Sequence, residues 1–148
     1  MVCLCFGKLS HGLGIQMTTD GSGIYYKQLW TLTDKSQITV DAGVHFDNSR
    51  LQIGMFGYEN HNQNIMLDVI TGYRHELFSN QLAGHFRPIF IVGIGGMTDI
   101  AGIWMIKYML GFGAQFYNRG ILNEVTLKLT HTEAIEGNVA FELAFYWK

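Results

Sequence analysis

Gly137-Asn-Val-Ala-Phe-Glu-Leu-Ala-Phe-Tyr-Trp-Lys148 alternates apolar and other side chains without a slip. Val139, Phe141, Leu143, Phe145 and Trp147 share one face, and Asn138, Ala140, Glu142, Ala144, Tyr146 and Lys148 the other, because side chains along a strand point to opposite faces in turn. An unbroken apolar stripe opposite small and polar groups, with a carboxylate among them, is how a strand reads with lipid on one side and a polar lumen on the other.

The same alternation recurs upstream. Residues 12–18 set Leu13, Ile15 and Met17 against Gly14, Gln16 and Thr18, and 19–23 (Thr-Asp-Gly-Ser-Gly) read as a turn rich in residues that tolerate positive φ. Residues 24–33, 37–47, 64–75, 85–95, 102–117 and 121–130 continue it, each with one apolar face. The Gly-x-Gly and the aromatic content of 102–117 favour strand over helix there. Asn-rich 48–63 reads as a long loop. Eight strands are the smallest number that usually closes a membrane barrel, so the expected fold is an all-β, eight-stranded antiparallel up-and-down transmembrane β-barrel.

Composition bounds the alternatives. The chain has 148 residues, enough for one domain, with net charge −2 and interspersed signs, so no basic face invites nucleic acid. Charged residues are 15% and apolar ones 48%, yet no stretch approaches the roughly 20 apolar residues of a spanning helix. A membrane protein of this composition has to be a barrel. Cys3 and Cys5 are the only cysteines, with no further ligand beside them, so no metal site is expected. Residues 1–9 read as the remnant of an export signal or a disordered N-terminus, and 10–148 as a single barrel domain.

The non-apolar faces collect Lys27, Asp41, Asp68, Arg74, Arg87, Lys107, Glu124, Lys128 and Glu142, five cations and four carboxylates. In a narrow barrel such a set is expected to pair, since an unpaired buried charge costs several kcal/mol. The interior of an eight-stranded barrel is just wide enough for side chains to fill. A side-chain-filled polar lumen is therefore expected, with a narrow pore as an alternative. On the apolar faces Trp30, Tyr73, Phe86, Phe116 and Trp147 fall towards the rim that carries the chain ends, and Trp104 and Phe46 towards the other. These are expected interfacial girdles. A soluble lipocalin-like carrier would alternate equally well with its apolar faces turned inward. Large aromatics opposite a face rich in Gly and Ala suit a lipid wall and a crowded lumen better.

Catalysis has little support along any single strand. The five serines, Ser10, Ser22, Ser36, Ser49 and Ser79, read as loop or N-terminal residues, and none lies two residues from a His on one face. Asp41 and His45, four apart on the lumen face with Asp47 beyond, are a candidate proton-transfer or metal pair and more commonly a structural one. The glycines of Gly93-Ile-Gly-Gly96 and Gly111-Phe-Gly113 precede no helix, which removes the phosphate-loop reading.

His11-Gly-Leu-Gly, Thr19-Asp-Gly, Tyr25-Tyr-Lys27, Gly72-Tyr-Arg-His-Glu-Leu-Phe78 and Phe86-Arg-Pro-Ile-Phe-Ile-Val-Gly-Ile-Gly95 together resemble small outer-membrane β-barrel proteins of Gram-negative bacteria, of the uncharacterised Bacteroidota type. The resemblance implies an outer-membrane location, the lipid bilayer as surroundings, and insertion by the barrel assembly machinery through the terminal strand. One departure is Lys148 after Trp147, where an aromatic usually ends the chain. The expected role is structural or loop-mediated binding by a monomer, with no cofactor and no nucleic acid. Arg50, Phe56, Tyr58 and Glu59 of the long loop are the expected contact surface. An outer-membrane lipid-modifying enzyme is the main alternative.

Overall fold

The computed structural model describes residues 7–19, 21–47, 64–78, 86–99, 102, 104–132 and 137–147. They form eight strands: β1 (Leu9–Thr18), β2 (Gly21–Thr31), β3 (Ser36–Asp47), β4 (Asn64–Glu76), β5 (Phe86–Asp99), β6 (Trp104–Asn118), β7 (Ile121–Thr132) and β8 (Asn138–Trp147). Each pairs antiparallel with its sequence neighbours, and β1 pairs with β8, so the sheet closes with no free edge. Closure puts Leu13 opposite Phe145 and Gln16 opposite Glu142.

Faces follow the expected alternation. Val139, Phe141, Leu143, Phe145 and Trp147 are exposed, while Ala140, Glu142, Ala144 and Tyr146 are buried. The apolar side points outward around the ring and every fully buried charge points inward. This removes the lipocalin-like alternative, which needs an apolar cavity where this barrel keeps its ions. β8 has ten residues, so at about 3.3 Å per residue and a tilt of about 40° it covers about 25 Å of barrel height, the height of an outer-membrane apolar band.

Strand ends differ from expectation. β1 starts at Leu9, and the carbonyl of Lys8 accepts from the N–H of Thr31 at 3.2 Å, so the pairing of β1 with β2 begins one residue before the expected start at residue 10. β2 starts at Gly21, because Gly21 to Gly23 pair with Asp47 to His45 instead of turning. β2 stops at Thr31, since the N–H groups of Leu32 and Thr33 donate to the Ser36 carbonyl in the next turn. β5 runs on to Asp99, where Gly95 and Gly96 pair with Lys107 and Ile106 on a neighbour long enough to carry them. A turn at Arg119 and Gly120, with φ of 49° and 85°, joins β6 to β7 in the doubly left-handed geometry that suits strand twist.

The lumen holds apolar clusters beside its ions. Ile70, Ile89, Ile91 and Met109 from β4, β5 and β6 pack as a buried apolar cluster, and Leu29, Leu122, Ala144 and Tyr146 form another near the rim that carries the chain ends. Apolar side chains thus share the expected polar lumen with the ions, because strands in so narrow a barrel need bulk as well as charge to fill it.

Candidate functional site

Eight of the nine charged residues expected in the lumen are there, none more than 4% exposed: Lys27, Asp41, Asp68, Arg74, Lys107, Glu124, Lys128 and Glu142. Four cations face four carboxylates, arranged in three tiers.

In the middle tier Lys27 Nζ donates to Asp41 Oδ2 at 2.6 Å and to Glu142 Oε1 at 2.7 Å. Lys128 Nζ lies 2.8 Å from Glu142 Oε2. Glu142 therefore sits between two cations. Towards the rim with the chain ends, Arg74 donates to Glu124 through Nε (3.0 Å to Oε2) and Nη2 (3.0 Å to Oε1), the bidentate fork that makes Arg–carboxylate pairs strong. Thr39 accepts from Nη1 and Tyr146 from Nη2. Gln115 Nε2 bridges Glu124 and Gln37 at 2.8 Å each. Towards the opposite rim Tyr25 donates to Asp68 at 3.0 Å, and Lys107 bonds the same carboxylate. Strands β4 and β7 lie three apart on the ring, so the Arg74–Glu124 pair crosses the lumen and blocks it.

Arg87 is the exception among the nine. It stands at the second position of β5, its side chain is 44% exposed, and among the described residues its carboxylate contact is Glu76 at 4.0 Å. Its guanidinium lies 5.8 Å from the Tyr117 ring. The lumen-facing register is right, but this close to the strand start the side chain is at the rim, where water solvates it. Losing Arg87 from the set turns five against four into an even balance.

Small residues make room for the ions. A Cβ at Gly14 would stand 2.9 Å from Lys27 Cδ and 3.6 Å from Glu142 Cδ, so the lysine stem lies across the glycine. Gly14→Leu is expected to displace Lys27 and lower folding stability by about 1–3 kcal/mol, the usual penalty of overpacking. Urea titration of the protein folded in lipid vesicles measures it, and an unchanged midpoint contradicts the packing.

The plug separates two mouths. At the rim opposite the chain ends, Gln16, His45, Lys107, Thr130 and Asn138 line a cavity of about 20 Å³, room for one water. At the rim with the chain ends, Ser10, Gln37, Tyr117, Tyr146 and Trp147 line one of about 230 Å³. Asp41 is the partner of Lys27 in the middle tier, whereas His45 lines the small mouth. The side chain of Asp47 and the loop residues Arg50, Phe56, Tyr58 and Glu59 lie outside the described residues.

On the outer wall the girdle residues stand where expected. Tyr73, Phe86, Phe116 and Trp147 are exposed and Trp30 half-buried at the rim with the chain ends, and Trp104, at 71% the most exposed of them, stands with Phe46 at the other. No serine lies two residues from a histidine on one strand face, but the reading of the serines as loop or N-terminal residues is corrected for Ser22 and Ser36, which lie in β2 and β3. Ser36 begins β3 and is the direct cross-strand partner of His75 in β4. Both side chains point outward, and Ser36 Oγ lies 3.1 Å from His75 Nδ1. Tyr73 OH joins them, 3.0 Å from Ser36 Oγ and 3.3 Å from Nδ1, with its ring stacked on the imidazole at 6.2 Å. A search along one strand misses this pair because the partner is supplied by register, and only the β3–β4 pairing makes the two neighbours. Both hydroxyls converge on one ring nitrogen, and among the described residues no carboxylate bonds the ring.

A closed eight-stranded antiparallel barrel with an apolar wall and an ion-paired interior defines the class. No family model matches the sequence, and no curated protein matches it. Among solved structures the chain is similar to Neisserial surface protein A, at 6% identity and a TM-score of 0.61, over 95% of this chain and 94% of that one. It is also similar to the N-terminal β-barrel domain of Pseudomonas aeruginosa OprF, at 12% identity and 0.60, over 94% and 96%. The outer membrane enzyme PagL is a further likeness, at 13% identity and 0.52, over 94% and 99%. At these identities what is shared is the fold, that of small outer-membrane barrels.

Proposed function

We propose that the chain is a small outer-membrane barrel of a Gram-negative bacterium, of the Bacteroidota type, which spans the bilayer as a monomer in a structural or loop-mediated binding role. One observation carries this reading: the closed ring turns its apolar side chains outward and keeps eight balanced charges inside. In water that polarity is upside down, and in lipid it is the stable one. The terminal strand, with Phe141, Leu143, Phe145 and Trp147 outermost, is what the barrel assembly machinery would engage. Binding falls to the rim and its loops, the 48–63 segment first, because the lumen is occupied by the protein's own ions. No nucleic acid, cofactor or catalytic step enters this reading.

A second reading, a lipid-modifying enzyme, draws on the Ser36–His75 contact. It ranks below because the ring has no carboxylate partner among the described residues.

Folded in detergent, the protein is expected to run faster on an unboiled gel than after boiling, and to give no sustained large conductance steps in a planar bilayer. Recovery from the soluble fraction without a heat-dependent shift overturns the membrane reading, and large steps overturn the plugged lumen.

A further inference from the structure

We propose that the outer wall between β3 and β6 holds one phosphatidylethanolamine from the leaflet at the rim with the chain ends. Its phosphate meets Ser36, Tyr73 and His75, and one acyl chain lies in the groove beside them. The proposal rests on the membrane reading above.

The groove is an open depression of about 390 Å³ whose walls are Ile38, Tyr73, Val92, Ile94 and Tyr108, all from the outward face. Thr71 lines it too, paired with Val40 on one side and Ile94 on the other, and Ile94 pairs with Tyr108. The lining is almost wholly apolar, as an acyl chain requires.

Tyr73 joins this groove to the polar cluster. Its ring forms part of the wall, while its hydroxyl bonds Ser36 and His75. Four residues of β4 separate His75 from Thr71, about 13 Å at 3.3 Å per residue. A lipid headgroup at the cluster therefore sends its chain along the strand towards the bilayer centre. Two hydroxyls and an imidazole converge within 3.3 Å of one another at Nδ1, so the ring, with both hydroxyls on Nδ1, offers its Nε2–H as the donor that a phosphodiester accepts from, and the hydroxyls are free to turn to the phosphate in its place. The adjoining turn exposes Lys35 beside Asp34, a cation and an anion side by side, which complements a headgroup that carries a phosphate and its own ammonium. Glu76 does not compete for this surface, because its side chain takes the lumen-facing register and lies by Arg87.

The test uses the full chain, folded in detergent and mixed with dioleoyl phosphatidylethanolamine, with native mass spectrometry counting the lipid molecules retained. Wild type is expected to keep one. Ser36→Ala with His75→Ala, which removes the headgroup donors, and Thr71→Trp, which fills the groove, are each expected to lower retention about tenfold, the loss of a charge-assisted hydrogen bond or of one well-filled contact. All three proteins should keep the heat-dependent gel shift, since every changed side chain lies on the outer wall. Equal retention by wild type and both variants overturns the site. Steady release of lysophospholipid by wild type, lost in Ser36→Ala, also overturns it in favour of ester cleavage. A wild type without the gel shift overturns the membrane reading itself and the site with it.

Discussion

Lys27→Met is expected to lower the folding stability of the barrel by about 3–5 kcal/mol, the penalty for removing one partner of a buried ion pair. Lys27 is fully buried, and its ammonium is the close partner of Asp41 Oδ2 at 2.6 Å. The alternative cation for Asp41 is Arg74, 4.0 Å away and already forked onto Glu124. Glu142 suffers less, because Lys128 remains 2.8 Å from its other oxygen. Asp41 is thus the group left stranded, and a buried carboxylate without its close cation is where the cost arises. The double change Lys27→Met, Asp41→Leu should recover at least half of the loss, since exchanging a whole buried pair for apolar bulk is often close to neutral. Urea titration in lipid vesicles, followed by fluorescence of Trp30, Trp104 and Trp147, gives both numbers. A single-variant cost below about 1 kcal/mol contradicts the tight middle tier.

That tier was half legible beforehand. Period-two alternation tells which residues share a face, so Lys27, Asp41, Glu142 and Lys128 could all be placed inward, and the need to neutralise buried charge says that they pair. Which oxygen meets which nitrogen depends on strand stagger, and alternation along one strand carries no information about stagger. The same gap hid the Ser36–His75 contact, made by two residues of opposite strands that only the β3–β4 register brings together. Arg87 failed for a different reason: its parity is right, but parity says nothing about depth, and at the second position of β5 its long side chain reaches the rim and is 44% exposed. The glycines of β5 misled in a third way. Gly95 and Gly96 look like a strand end, but in a closed ring their backbones are paired on both sides, by β4 and by β6. A breaker weakens a strand only where neighbours fail to hold it.

Leu127→Arg tests the outer wall where the barrel and a water-soluble sheet differ most. Leu127 is 57% exposed in the middle of β7, cross-strand from Phe112 and Phe141. In water an exposed Leu→Arg change stays within about 0.5 kcal/mol. In a bilayer the arginine has to sit at the midplane, and the expected loss is about 2–4 kcal/mol. Ile121→Arg on the same strand and the same face supplies the control, because Ile121 opens β7 at the rim, where the cost falls to about 0–1 kcal/mol. Hydrophobicity and exposure are similar at the two positions, 57% against 44%, so their difference isolates depth. The measurement is the urea midpoint of each variant refolded into vesicles of one lipid composition. A steep gradient from Ile121 to Leu127 puts hydrocarbon against the middle of the wall. Equal small losses at both positions leave water there, and the ionic interior would then need another explanation than a lipid-facing exterior.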